Sequence, residues 1–190
     1  MPLEIIASDY IARFRGPAIA EMTFYKEQPS LSEAIRLAAL SRTAHGKRHA
    51  HQRRIPGHVL EAAEQSLQGI SASLGEARSF DEVHHQITNQ IGSLRGIGEL
   101  AIYDFSHRIG AFLKLAPDLV YLHAGTRVGA RALNLTGDVI PKSAIPSAFH
   151  FLSAAEIEDC LCIYKSLLKP GTIGRISRSL CMTVKRPVCH

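Results

Sequence analysis

Long apolar runs are absent from this chain of 190 residues. No stretch reaches about 18 consecutive apolar residues, which is roughly the minimum for a membrane-spanning helix. Near the start, Glu4 and Asp9 stand where a secretory signal peptide has a basic end and an uncharged apolar segment. We therefore expect a protein that neither spans a membrane nor is exported through such a signal.

Cysteine is absent from the first 159 residues, and this distribution bears on the compartment of the protein. All four cysteines fall in the last 31 positions, at Cys160, Cys162, Cys181 and Cys189. The disulfides of small secreted domains staple the whole chain, whereas these four residues lie close to one end. The distribution predicts a cytoplasmic protein.

Recognisable cofactor and metal motifs are also lacking. The chain contains no phosphate-binding nucleotide loop, no dinucleotide fingerprint and no serine nucleophile elbow. The histidine pairs at 49/51 and 84/85 and the cysteine pair at 160/162 do not have the spacing of a structural zinc site. We expect neither a cofactor nor a metal ion, and the common ATPase, dehydrogenase and hydrolase classes are disfavoured.

Acidic residues are missing from two segments of the chain. The totals are 22 Lys+Arg and 17 Asp+Glu, a formal net charge of +5. Six basic residues and no acid lie between Glu33 and Glu61, and six more basic residues follow Asp159. This asymmetry is typical of a surface that binds a polyanion, although solvated segments that keep a protein soluble are the alternative. The residues of the first segment that we predict to contact nucleic acid are Lys47, Arg48, Arg53 and Arg54.

The remaining composition is that of one globular domain. Hydrophobic residues make up 46% and charged residues 21%, which is close to the average for soluble domains. Apolar residues recur at helical spacing, and Ser-x-x-Glu capping boxes at Ser30, Ser79 and Ser153 predict three helix starts. We predict a single all-α domain over residues 1–190, an orthogonal helical bundle with a basic C-terminal extension at about 170–190. Its helices are predicted at about 31–42, 58–70, 80–94, 100–115, from 123 or 126 to 133, and 153–168.

The tightest connection between two predicted helices contains two glycines. It reads Leu94-Arg95-Gly96-Ile97-Gly98, and two helices joined by so short a turn must fold back beside each other. Glycine admits a positive φ and leaves room for a sugar-phosphate backbone, while Ile97 anchors the turn in the core. Amides at the start of the second helix then point outward at the positive end of its dipole, where phosphate binds. A packing corner in which the glycines serve only the backbone is the alternative.

This pattern resembles the hairpin of the helix-hairpin-helix superfamily, over a core at about residues 79–133. In the DNA glycosylases of that class, a catalytic aspartate precedes an Arg-Val pair that opens a later helix. Arg127-Val128 lies at a comparable distance here, but Leu122 stands in place of the aspartate and no lysine stands at the nucleophile position. The resemblance implies a helix-hairpin-helix fold and nucleic-acid contact without glycosylase chemistry. Arg127 and Arg131 are predicted to form a second group of phosphate contacts.

Three functions follow from these features. The principal hypothesis is a protein that binds DNA, or structured RNA, through backbone phosphates. The first alternative is an enzyme acting on a nucleobase or nucleotide, with Asp104, His107 and His123 as acid–base groups. The second alternative is a subunit whose apolar helices complete the core of a protein partner.

Overall fold

A computed structural model describes residues 2–168 of the chain. These residues fall into two compact units. Unit 1 combines the residues up to Arg15 with those from Asp118 onward, and unit 2 consists of Gly16–Pro117. The sequence predicts one domain, and its predicted core at about 79–133 crosses this division.

The described chain is mostly helical, as predicted. Unit 2 contains α2 (Gly16–Lys26), α3 (Leu31–Ala39), α4 (Gly57–Gln68), α5 (Ser71–Gly75), α6 (Phe80–Ile91) and α7 (Glu99–Leu113), which follow α1 (Leu3–Tyr10) and a π-helix (Ile11–Arg15) of unit 1. No helix of the described part is long and apolar enough to cross a membrane.

Helix α7 is the centre of unit 2, where it packs against α2, α3 and α6. The shared core is made of side chains at helical spacing, among them Ile35, Leu60, Ile87, Phe105 and Ile109, all fully buried. Burying such side chains contributes roughly 1.5–3 kcal/mol each. The apolar helix faces that the sequence pattern predicts thus form the interior of this unit.

Capping sets the starts of three helices where the sequence predicts them. The Ser30 and Ser79 hydroxyls accept hydrogen bonds from the amides of Glu33 and Glu82, each at 3.2 Å. In unit 1, Ser153 and Glu156 form the complete reciprocal box. Several helix ends differ from prediction: α3 ends at Ala39 rather than near 42, because Ser41 takes a positive φ and turns the chain.

Unit 1 combines the π-helix and α1 with β1 (Leu119–Tyr121), α8 (Ala124–Ala132), β2 (Val139–Pro141), two 3-10 turns (Lys142–Ala144 and Ser147–Phe149) and α9 (Ala154–Ile163). The strands pair antiparallel, with Val120 opposite Ile140, so part of the predicted loop at 134–147 is a short strand. Their buried side chains join a core formed with α1, α8 and α9. The predicted C-terminal extension at about 170–190 lies outside the described residues.

Helices α8 and α9 approach so closely that Gly129 faces backbone. A Cβ added at this position would overlap the carbonyl group of Leu161. Backbone cannot yield as a flexible side chain does, so the residue at position 129 determines how near the two helices lie.

We expect Gly129→Ala to lower the free energy of unfolding by about 2 kcal/mol, because the added methyl forces the helices apart. Gly16→Ala is the matched control: a Cβ at Gly16 would meet no atom of the other described residues within 4 Å, and alanine is the better helix former by about 1 kcal/mol. Urea unfolding followed by circular dichroism compares them. Equal stability of the two variants would contradict the proposed close contact.

Candidate nucleic-acid interface

A buried arginine on α7 organises the polar interior of unit 2. Arg108 is 4% exposed and lies one helical turn after Asp104, with its Nη2 3.7 Å from Asp104 Oδ2. Its Nε lies 3.5 Å from Glu21 Oε1 on α2, and its Nη1 lies 3.5 Å from Gln52 Oε1. A buried guanidinium requires such partners, because a charge left alone in the interior costs several kcal/mol.

Asp104 is the main counter-charge of this arginine. Burial alone would raise the pKa of Asp104, but Arg108, His51 and the amide of Gln52 together hold it well below its ordinary value. Gln52 Nε2 donates to Asp104 Oδ2 at 2.5 Å, and His51 Nδ1 lies 3.5 Å from the same oxygen. The carboxylate of Asp104 therefore stays ionised and interacts with all three of these groups.

The same network holds the segment between α3 and α4 against the helices. This segment, residues 42–54, is called the basic segment below; within it Arg42 and Arg48 form an isolated antiparallel bridge. The Tyr25 hydroxyl donates to the Arg42 carbonyl at 2.7 Å and lies 2.9 Å from His49 Nε2. Gln52 and His49 are both buried. A stretch without helix is thus anchored from inside.

The charged ends of the basic segment face solvent. Lys47, Arg53 and Arg54 are exposed, and Arg48 is half-buried with Nη1 donating to the Ile55 carbonyl at 2.9 Å. Within residues 2–168, no carboxylate lies within ion-pair distance of any of these four. Their charges are therefore compensated mainly by solvent.

The two-glycine turn has part of the local geometry that the sequence predicts, namely one positive φ and a buried isoleucine. Gly96 takes a φ of +101°, Ile97 is buried, and Gly98 is extended and exposed. Apart from its chain neighbours, no residue of the described chain lies within 4 Å of the position of a Cβ at Gly98. Helix α7 begins at the next residue, so the amides of its first turn, which have no partner within the helix, directly follow this open backbone.

The turn and the basic segment each approach the first turn of α4. A Cβ at Gly96 would lie 3.6 Å from Val59 in the first turn of α4, and a Cβ at Gly57 would lie 3.8 Å from Arg48 Nη2. Arg95 is exposed and, like the cations of the basic segment, has no described carboxylate within ion-pair distance. We call the set Lys47, Arg48, Arg53, Arg54, Arg95, Gly96 and Gly98 the cationic surface.

The second predicted group of phosphate contacts belongs to unit 1. Arg127 and Arg131 lie on α8, and Arg127 Nη2 is 2.8 Å from Asp138 Oδ1. Arg131 is exposed. Because the turn belongs to unit 2, the predicted grouping of these arginines with Gly96 and Gly98 remains a prediction.

The acid–base candidates are divided between the units. Asp104 and His107 lie on α7, where His107 contacts the rings of Phe80 and Tyr103 and burial lowers its pKa to about 4. His123 lies in unit 1 as the N-cap of α8. Its Nδ1 accepts from an amide of the first turn at 3.3 Å. The convergence of all three residues on one pocket therefore remains a prediction.

His123 also forms a buried pair with a glutamate. Its Nε2 lies 2.6 Å from Glu158 Oε1 on α9, so the two ring nitrogens of His123 face a carboxylate and a backbone amide. The imidazole thereby ties the start of α8 to α9. Sequence reasoning identified His123 by its residue type, whereas the partner that explains it lies 35 positions away.

Sequence reasoning missed Glu21, Tyr25 and Gln52, which complete the network around Arg108. Only the spacing of Asp104 and Arg108, four residues apart on one helix, gave a local signal. Comparisons of the chain with protein-family models, with curated proteins and with solved structures find no match. The function must therefore be inferred from the residues themselves.

We expect Asp104→Asn to lower the free energy of unfolding by about 3 kcal/mol at neutral pH, because Arg108 loses its main counter-charge. The pKa of Asp104 is lower in the folded chain than the unfolded value of about 3.9. Its stabilising contribution is therefore complete above about pH 5 and is lost as the pH falls through that value towards the folded pKa.

Urea unfolding of the natural chain and the variant at neutral pH, about pH 5 and about pH 3 checks this prediction. The difference in free energy of unfolding between the natural chain and the variant should shrink only at the lowest pH. Glu76→Gln, an exposed carboxylate of the same unit, is the control and should change stability little at any pH. A pH-independent difference for Asp104→Asn would show that its charge is not what stabilises the fold.

Proposed function

We propose that this chain binds DNA through its phosphate backbone, with the cationic surface of unit 2 as the contact region and the two-glycine turn as a helix-hairpin-helix hairpin. The observation that carries the proposal is the group of exposed cations that have no carboxylate partner among residues 2–168. In the same unit, Arg108 is buried and surrounded by carboxylates. The charges of the exposed cations are therefore available to bind a partner, whereas the charge of Arg108 is paired inside the fold.

The turn adds a position for a single phosphate. The open backbone at Gly98 precedes the first turn of α7, whose amides and dipole favour an anion. Arg95 stands three residues before Gly98 in the chain, and a guanidinium binds phosphate oxygens through two parallel hydrogen bonds. Glu99 places a carboxylate in the same turn, so the arginine and the basic segment must supply the positive field.

The proposed contacts go to phosphate, which positions a protein on DNA without reading sequence. Residues 42–58 contain no Phe, Tyr or Trp for stacking on bases. The same binding measurements, made with RNA in place of DNA, test whether the partner is RNA. The acid–base alternative has less support, because Asp104 is engaged by Arg108, Gln52 and His51.

The first test measures affinity for a fluorescent DNA duplex at several salt concentrations. If about five phosphates are neutralised, the logarithm of the association constant should fall with the logarithm of salt concentration at a slope near −4.5. The double variant Arg53→Ala/Arg54→Ala should bind more weakly, with a slope smaller in magnitude by about 2.

Arg78→Ala is the matched control for this test. Arg78 is an exposed arginine of unit 2 just before the start of α6, whereas the turn follows the end of that helix about 18 Å away. Its removal should leave the slope unchanged. Binding that does not depend on salt, or no binding to DNA or RNA, would refute the proposed function.

The second test uses the open position at Gly98. Asp and Asn are both good N-cap residues, and the φ of −114° at this position suits either of them. Gly98→Asp and Gly98→Asn should therefore fold equally well and add side chains of nearly equal size. We expect the Asp variant to bind DNA about tenfold more weakly than the Asn variant, a difference of about 1.4 kcal/mol, because only Asp repels phosphate. Equal DNA affinity of the two variants would show that the turn does not contact DNA.

A further inference from the structure

A small half-open pocket lies in unit 1, between α8 and the loop that leads into β2. Its volume is about 220 Å³. Arg127, Arg131, Thr136 and Asp138 provide its polar lining, while Leu122 and Leu135 provide apolar walls. A charged lining beside an apolar wall suits a ligand that has an anionic group attached to an uncharged body.

The two arginines supply more positive charge than the pocket neutralises. They are four residues apart on α8, so their side chains project from the same face of the helix. Asp138 is the carboxylate in the lining, and within the described chain no carboxylate lies within ion-pair distance of Arg131. The lining therefore carries a net charge of +1.

Asp138 marks the position of an anion in this pocket. Its carboxylate oxygen lies 2.8 Å from Arg127 Nη2, although its side chain is 87% exposed. The carboxylate of this pair is open to solvent, whereas the Arg127 side chain is only 23% exposed. An incoming anion therefore competes with Asp138 for this side of the Arg127 guanidinium.

We propose that this pocket binds a phosphate monoester. Two guanidinium groups and the Thr136 hydroxyl offer more hydrogen-bond donors than one carboxylate can accept, whereas a phosphate monoester has three terminal oxygens and nearly two negative charges. A phosphate monoester stands at the end of a molecule, whereas the phosphates inside a continuous backbone are diesters. The source of the group is the terminal phosphate of a polynucleotide or a free mononucleotide.

The test compares ligands that differ only in the phosphate. A DNA duplex labelled at its 3′ end is titrated in its 5′-phosphorylated and 5′-hydroxyl forms by fluorescence anisotropy, and adenosine 5′-monophosphate is compared with adenosine by calorimetry. We expect the phosphorylated member of at least one pair to bind about tenfold more tightly. The pair that shows the preference identifies the source of the phosphate.

Three variants assign the effect to the pocket. Arg131→Ala should abolish the preference for the phosphorylated ligand, and Asp138→Asn should increase it several-fold by removing the competing carboxylate. Lys142→Ala, a partly exposed cation of the same unit outside the pocket, should leave it unchanged.

Equal affinity within both ligand pairs, or a preference that survives Arg131→Ala, would overturn the proposal. The proposal rests on unit 1 alone. Binding of the 5′-hydroxyl duplex measures the cationic surface instead, so failure of one proposal is distinguishable from failure of the other.

Discussion

The buried guanidinium of Arg108 is the constraint on which the rest of unit 2 depends. It lies in the interior with Glu21 of α2, Asp104 of α7 and Gln52 of the basic segment around it, and above the ring of Tyr25. Removing any partner leaves charge in a medium that solvates it poorly. The fold therefore keeps these elements together, and the basic segment has a defined position although most of it is neither helix nor strand.

Positive charge has two distinct roles in this unit. Arg108 is neutralised by carboxylates and belongs to the fold, whereas Lys47, Arg53, Arg54 and Arg95 lie at the surface without a described carboxylate partner. Charges that repel each other on a surface lower stability unless solvent or a ligand compensates them. The separation of the two sets gives the proposed DNA contact its physical basis, because the exposed cations contribute little to folding.

Glycine also serves two purposes in the chain. Gly129 and Gly96 are required by the fold, the first for close packing of two helices and the second for a positive φ in a turn. Gly98 has neither constraint among residues 2–168, since its backbone is extended and a Cβ there would meet no described residue beyond its chain neighbours. Its lack of a side chain leaves the surface accessible.

The sequence by itself determined the local features. Serine caps, helical periodicity and the two-glycine turn depend on residues within a few positions of each other, so α3, α4, α6, α7 and α9 were predicted near their observed starts. The basic segment was also evident, because charge composition can be read without a structure. Helix ends were less predictable, since the turn at Ser41 depends on how the following segment packs.

Only the tertiary structure decided which residues meet. The residues around Arg108 come from three parts of the chain, and Glu158 stands 35 positions from His123. The pairing of Arg127 with Asp138 and the packing of Gly129 on Leu161 are likewise absent from any local pattern. Such contacts depend on long-range packing, which brings distant segments together once their apolar faces are buried, and no short window of sequence contains both partners.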